Sequence, residues 1–166
     1  MFIVFDQTSE LDFFQLVNVY EESNLQLGER MCPNEDKWTQ LRIGEDELRA
    51  SVSEFLREDG SVIAVWAPNG CYRAALRLER YEDGYLLSCL ETAVDSRGKG
   101  YASELVKRSL VYLFENGVCK VYAHIRRDNR ASLAVHRRNG FVIVKKWGRL
   151  LDGSICHDYY TLLCEK

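Results

Sequence analysis

The run Thr92-Ala-Val-Asp-Ser-Arg97-Gly98-Lys99-Gly100-Tyr101-Ala102-Ser103 holds the residues of this 166-residue chain that are best spaced for chemistry. Glycines let backbone N–H groups come close to a ligand, and the start of a helix expected from Tyr101 carries partial positive charge. Arg97 and Lys99 add formal charge. Together these parts make a pyrophosphate cradle. The run is not a nucleotide P-loop, because GxxxxGK followed by Ser or Thr is absent. It is not the dinucleotide GxGxxG either, because Ser103 stands at the last position and no βαβ unit opens the chain. Taken alone, it also reads as a glycine-rich turn with surface charges.

A second run, Asn129-Arg-Ala-Ser132-Leu-Ala-Val-His136-Arg-Arg138-Asn-Gly140-Phe141, follows a short strand. The spacing Arg97-x-x-Gly100-x-Ala102 resembles the Gln/Arg-x-x-Gly-x-Gly/Ala motif of the GCN5-related N-acetyltransferase (GNAT) superfamily. The second run is similar to that family's Asn-x-x-Ala/Ser-x-x-Leu/Val-Tyr-x-Lys/Arg-x-Gly-Phe signature. Order and separation of the two motifs match as well. The resemblance covers about residues 61–148.

It implies an acetyl-CoA-dependent N-acyltransferase without a metal. The pantetheine arm would pair with the backbone of Leu90 to Thr92. The pyrophosphate would lie on amides of Arg97, Gly98, Lys99, Gly100, Tyr101, Ala102 and Ser103. Asn129 and Ser132 would line the pantetheine side. The implied reaction is direct attack of an amine on the thioester, with a backbone N–H near Leu90 to Thr92 holding the oxyanion. The family commonly has a tyrosine where His136 stands here. An imidazole could still protonate the departing thiolate, or His136 is a helix-surface residue and water does the job. Family members often use a glutamate on the strand that holds Glu91. Alternation places Glu91 on the face opposite Leu90 and Thr92, as a general base or as a solvent-facing or salt-bridged side chain. His157, Asp158, Tyr159 and Tyr160 are candidates for an acceptor pocket or for sheet packing. Trp38 is a candidate cover for the acceptor or core filler, and His124 reads as structural.

Charge is unevenly spread. Residues 1–96 carry 8 basic and 19 acidic side chains, net −11, while residues 97–149 carry 13 basic and 3 acidic, net +10. CoA is a multiply charged anion and would give the basic segment a partner. The acidic part favours a cationic acceptor: a polyamine, an aminoglycoside-like molecule, an amino acid amine, or a protein N-terminus or lysine. Two other readings compete. One is a degenerate module that binds acyl-CoA without turnover. The other is nucleic-acid binding by Arg126 to Arg138, opposed by a pI near 5.7 and by the absence of an aromatic stacking pattern.

The elements that must position these residues follow from period and turn chemistry. Phe2 to Phe5 predicts a strand. Thr8 or Ser9 would cap a helix over Glu10 to Glu22. Residues 24–44, with Gly28, Pro33 and Gly44, predict a loop with a short helix, and a second helix is expected over Glu45 to Glu58. Val62 to Ala67, Cys71 to Tyr81 and Tyr85 to Val94 predict an antiparallel meander with turns at Pro68-Asn69-Gly70 and Glu82-Asp83-Gly84. A helix over Tyr101 to Glu115 ends at Asn116-Gly117. Cys119 to Ile125 is a strand parallel to the third of the meander. A helix capped by Asp128 or Asn129 runs to Arg138. Phe141 to Trp147 and Ile155 to Cys164 close the chain through Asp152-Gly153. The expected fold is therefore α/β and GNAT-like. It has a mixed, mostly antiparallel sheet of about six to seven strands, one splayed parallel pair and about four flanking helices.

Length and composition bound the rest. One domain over residues 1–166 is expected, since domains run ~100–200 residues. A hydrophobic share of 46% and a charged share of 28% are those of a globular chain. No apolar run approaches the ~18 residues of a membrane span. The opening segment lacks a basic region and a long apolar core, so no signal peptide is expected and the cytosol is the default compartment. A homodimer stays open. Cys32, Cys71, Cys89, Cys119, Cys156 and Cys164 contain no CxxC pair, so neither zinc nor thioredoxin chemistry is supported, and free thiols mostly in strands and core are expected.

Overall fold

A computed structural model describes residues 1–150 and 153–166. Among the described residues, seven strands form one sheet in the order β1-β2-β3-β4-β5-β9-β6. They are β1 (Phe2–Phe5), β2 (Val62–Trp66), β3 (Ala74–Tyr81), β4 (Gly84–Thr92), β5 (Lys120–Arg126), β6 (Val142–Lys145) and β9 (Tyr159–Glu165). A small hairpin of β7 (Gly148–Arg149) and β8 (Ile155–Cys156) stands beside it. Every neighbouring pair in the large sheet is antiparallel except β4–β5. The helices are α1 (Phe13–Val19), α2 (Glu21–Met31), α3 (Lys37–Phe55), α4 (Tyr101–Glu115) and α5 (Arg130–Arg138).

Strand alternation sends side chains to two cores. On β2, Val62 and Ala64 face Leu105, Val106, Leu110 and Leu113 of α4. Ile63 and Val65 face Leu16 and Val19 of α1 and Val52 of α3. Four successive buried residues on β2 mark a strand covered on both sides.

The N-terminal third departs from the sequence expectation. Instead of one helix over 10–22 there is a 3₁₀ turn at Thr8–Glu10, then α1, then α2. Asp12, not Thr8 or Ser9, caps α1: its carboxylate accepts from the Gln15 amide at 3.1 Å. Most of residues 24–44, expected as a loop with a short helix, is helical, in α2 and the start of α3. The two glycines that suggested a break permit a close crossing instead. A Cβ on Gly28 would lie 1.8 Å from the Gln40 carbonyl oxygen, and one on Gly44 would lie 1.9 Å from that of Asn24. Each helix thus uses one glycine to admit the backbone of the other, and five α-helices are described where about four were expected.

Smaller differences occur at strand ends. β3 starts at Ala74 and β4 stops at Thr92. The predicted strand over 155–164 is broken at His157–Asp158 into β8 and β9. Of the expected Asp152-Gly153 turn, Asp152 lies outside the described residues. The thiols, expected mostly in strands and core, divide evenly: Cys89, Cys156 and Cys164 lie in strands and the other three do not. Only Cys164 is buried, and Cys71, Cys89 and Cys119 are exposed. No helix among the described residues is long and apolar enough to cross a membrane.

Candidate active site

Two irregularities in β4 build the site. The first is early loss of pairing. β4 and β5 are in register only at Tyr85↔Val121 and Leu86↔Tyr122. Beyond those pairs the strands part, leaving backbone donors and acceptors without a neighbouring strand. The second is a bulge. Ala75 pairs with Glu91 and Arg77 with Ser88, so Cys89 and Leu90 both stand opposite Leu76. Cys89 takes φ +51°, a region rarely used by a residue with a Cβ. Its carbonyl accepts a 2.7 Å hydrogen bond from the buried Tyr20 hydroxyl at the α1–α2 junction, which holds the bulge from outside the sheet.

The parted strands enclose a gap of about 210 Å³. Leu87 to Leu90 form one wall and His124 to Arg126 the other; Asn129, Ser132 and His136 of α5 and Tyr159 of β9 close it. A wider cleft of about 560 Å³ shares Leu90, Asn129 and Ser132 with the gap. It runs on past Glu91 and Thr92 to Arg97, Gly98 and Gly100–Ser103, and α2 borders it through Glu22, Ser23 and Gln26.

The far end of the cleft presents open backbone at the start of α4. Gly98 and Gly100 take φ of +75° and +81°, and a Cβ at either would meet nothing within 4 Å. The backbone there lies open. Glu104 N to Gly100 O, at 3.0 Å, is the bond that closes the first turn of α4. The amides of Tyr101, Ala102 and Ser103 precede it and have no partner inside the helix. Asn139 Nδ2 donates to Ser103 Oγ at 3.1 Å and ties the end of α5 to this turn. The Asn129 side chain accepts from the Ser132 amide at 3.0 Å and caps α5.

Arg97 sits on the cleft wall, ion-paired to Glu22 of α2, and its Nε reaches Thr92 O at 3.4 Å. Lys99 turns away to the Asp95 carbonyl at 3.0 Å. Glu91 projects toward α2, where the Ser23 hydroxyl donates to its carboxylate. Burial pushes the Glu91 carboxyl above the ordinary glutamate value, and Glu22 adds to that rise; the Ser23 hydrogen bond and Arg97 oppose it.

His136 is 2% exposed, so it is not a helix-surface residue. Its Nδ1 lies 2.9 Å from the Ser132 carbonyl. A carbonyl only accepts, so Nδ1 carries the hydrogen. Nε2 is buried without a hydrogen-bond partner among the described residues, and the ring packs edge-on against Phe141 at 5.0 Å. Burial lowers its pKa, so the ring is neutral at pH 7 with a lone pair on Nε2.

His124 lies in a hydrogen-bonded chain. Thr161 Oγ1 donates to Trp147 O at 2.6 Å. His124 Nδ1 therefore donates to Thr161 at 3.1 Å, and Nε2 accepts from the Tyr81 hydroxyl at 3.2 Å. Of the last-strand candidates, Tyr159 lines the gap. Asp158 borders a neighbouring cavity with Arg126 and Arg127. Tyr160 packs on the α4 core under the Arg127 guanidinium, and His157 is exposed. Trp38 neither fills the core nor lines either cavity; it is 82% exposed. Sequence reasoning missed Tyr20, Glu22 and Ser23. They lie about seventy positions from their partners, and no local pattern marks them.

The model of the Acetyltransferase (GNAT) family matches residues 16–141. The chain belongs to that family. Among solved structures it is similar to PaiA N-acetyltransferase from Thermoplasma acidophilum in complex with coenzyme A, with a TM-score of 0.68 at 12% identity, covering 100% of this chain and 99% of the other. It is also similar to ribosomal-protein-alanine N-acetyltransferase from Brucella melitensis, with a TM-score of 0.66 at 19% identity and 99% coverage of both chains. A GNAT family acetyltransferase from Elizabethkingia anophelis with acetyl-CoA bound has a TM-score of 0.59 at 14% identity, covering 73% of this chain and 85% of that one. A search of the curated proteins found no match.

Proposed function

We propose that this protein transfers the acetyl group of acetyl-CoA to a cationic amine by direct attack on the thioester. The observation that carries this reading is the path from the β4–β5 gap to the open Gly98–Ser103 turn. The backbone of Leu90 to Thr92 on the side away from β3, which has no neighbouring strand, is suited to pair with the amides of a pantetheine arm. The amides and glycines of the turn suit a pyrophosphate, and Arg97 stands beside them. Two of the neighbouring solved structures hold coenzyme A or acetyl-CoA.

In this reading the bulge aims a backbone N–H near Leu90 to Thr92 at the developing oxyanion. Glu91 takes a proton from the incoming ammonium, directly or through water. Its carboxyl is raised by burial, which brings it closer to the pH at which a base must work. His136 is the candidate acid for the departing thiolate. Its Nε2 must first take up a proton, and burial makes the resulting imidazolium a strong donor. With Glu22 paired to Arg97, Glu91 supplies the negative charge on the α2 side of the cleft, which favours a cationic acceptor.

Thiol release from acetyl-CoA, measured against polyamines, aminoglycosides, amino acids and peptides with free N-termini or lysines, tests the reading. Turnover with at least one class is expected. Binding of acetyl-CoA with no turnover on any class would make the protein a binding module instead.

A further inference from the structure

The Ser23–Glu91 contact joins residues 68 positions apart. A serine in a helix usually satisfies its hydroxyl on a nearby backbone group or on water. Ser23 instead crosses to β4 and donates to Oε1 of Glu91. That carboxylate is largely taken out of water, where an ion needs compensating donors. Arg97, the nearest cation, is ion-paired to Glu22. Ser23 is thus the donor bonded to Glu91, and among the described residues no donor reaches Oε2.

We propose that Ser23 is the positioning residue for Glu91, holding one carboxylate oxygen so that the other faces the acceptor as an ionised base. The inference rests on the assignment of Glu91 as base. The groups that face Glu91 are Glu22 and Ser23 from α2, Arg97 from the loop after β4, and Tyr20 from the α1–α2 junction, whose hydroxyl is engaged by Cys89 O. Glu22 and Arg97 neutralise each other, and Tyr20 stays protonated because burial raises it far above neutrality. Ser23 is left as the group whose loss changes the carboxylate most directly. An ionised carboxylate gains more from an O–H donor than the neutral acid does, so removing the hydroxyl makes Glu91 easier to protonate.

The test is a ¹³C NMR titration of the full chain labelled on glutamate carboxyls. The Glu91 signal is identified by its loss in Glu91→Gln. In Ser23→Ala its midpoint should rise by on the order of one pH unit, a tenfold change in ionisation. In Ser23→Thr, which keeps the hydroxyl, it should stay near the wild-type value. An unmoved midpoint in Ser23→Ala overturns the proposal. The acid limb of kcat/KM, read with the best amine of the panel, separates the two assignments. It should shift upward with the NMR midpoint. A limb that stays put while the midpoint moves overturns Glu91 as the base, and with it the place of Ser23 in catalysis. A clasp that merely joined α2 to β4 would change stability and the NMR midpoint but leave the acid limb of kcat/KM where it was.

Discussion

At Gly100 the backbone takes φ +81° and a Cβ would meet open space, so a side chain there displaces no packed neighbour and projects at the proposed cofactor cleft. Gly100→Glu strains the turn and puts a carboxylate where an anion is to bind. Calorimetry should show 1:1 binding of acetyl-CoA to the wild type and binding at least about a hundredfold weaker in the variant, a loss of about 2.7 kcal/mol. Equal affinities would remove the loop from the binding site. His136 poses a different question. If its protonated ring supplies the thiolate's proton, the interaction exists only as negative charge develops on sulfur. His136→Phe should then lower kcat at least about tenfold and leave acetyl-CoA affinity nearly unchanged, with His136→Tyr recovering part of the loss. The pH signs are opposed. As the proposed base Glu91 must be ionised, and its pKa is raised, so activity should fall as pH drops through a point above the ordinary glutamate value. His136 must be protonated, and its pKa is lowered, so its contribution fades as pH rises through a point below the ordinary histidine value. Wild-type turnover by His136→Phe would assign the acid to water.

Among the elements, the α2–α3 crossing decides where Glu22, Ser23 and Tyr20 sit. Gly28 and Gly44 let the two helices touch backbone to backbone, with hypothetical Cβ atoms at 1.8 and 1.9 Å from carbonyl oxygens. No side-chain adjustment relieves a clash with backbone. Gly28→Ala should cost about 3 kcal/mol through overpacking, even though alanine is the better helix former. For a chain of this length that lowers Tm by about 10 °C, which calorimetry would detect. An unchanged Tm would mean the crossing relaxes freely. The β4 bulge is held less directly, by the Tyr20 hydroxyl on the Cys89 carbonyl. Strand, helix junction and bulge therefore form one unit. A shift of α2 moves the Glu91 carboxylate and the Arg97 guanidinium together, because adjacent residues, Ser23 and Glu22, hold them.

Over the whole molecule, residues 97–149 carry net +10 against net −11 before them, and Arg97, Arg126 and Arg138 of that segment line the two cavities of the proposed cofactor path. Attraction between exposed charges weakens with salt, since the screening length falls from about 10 Å at 0.1 M to about 3 Å at 1 M. Acetyl-CoA affinity should therefore decline steadily with added salt, and CoA lacking its 3′-phosphate should bind more weakly and with a shallower salt dependence. Salt-independent binding would show that contacts with the apolar walls and backbone dominate instead.

The sequence by itself determined the α/β class, the β3–β4 meander and the α4 start at Tyr101, and narrowed the α5 cap to Asp128 or Asn129. Each of these is set by residues within a few positions of one another: turn glycines, a capping side chain, or apolar residues repeating at the period of a strand or helix. It likewise marked the Gly98–Ser103 turn, because backbone freedom at a glycine is a property of that residue. Tertiary structure alone decided how α2 and α3 use Gly28 and Gly44. The same glycine breaks a helix in isolation and admits a neighbour when one packs against it, and only packing distinguishes the two. The burial of His136 and the exposure of Trp38 were decided the same way, as was the direction of the Glu91 side chain. Burial, bulge register and a hydrogen bond between residues 68 apart depend on which surfaces meet, and no local pattern records that.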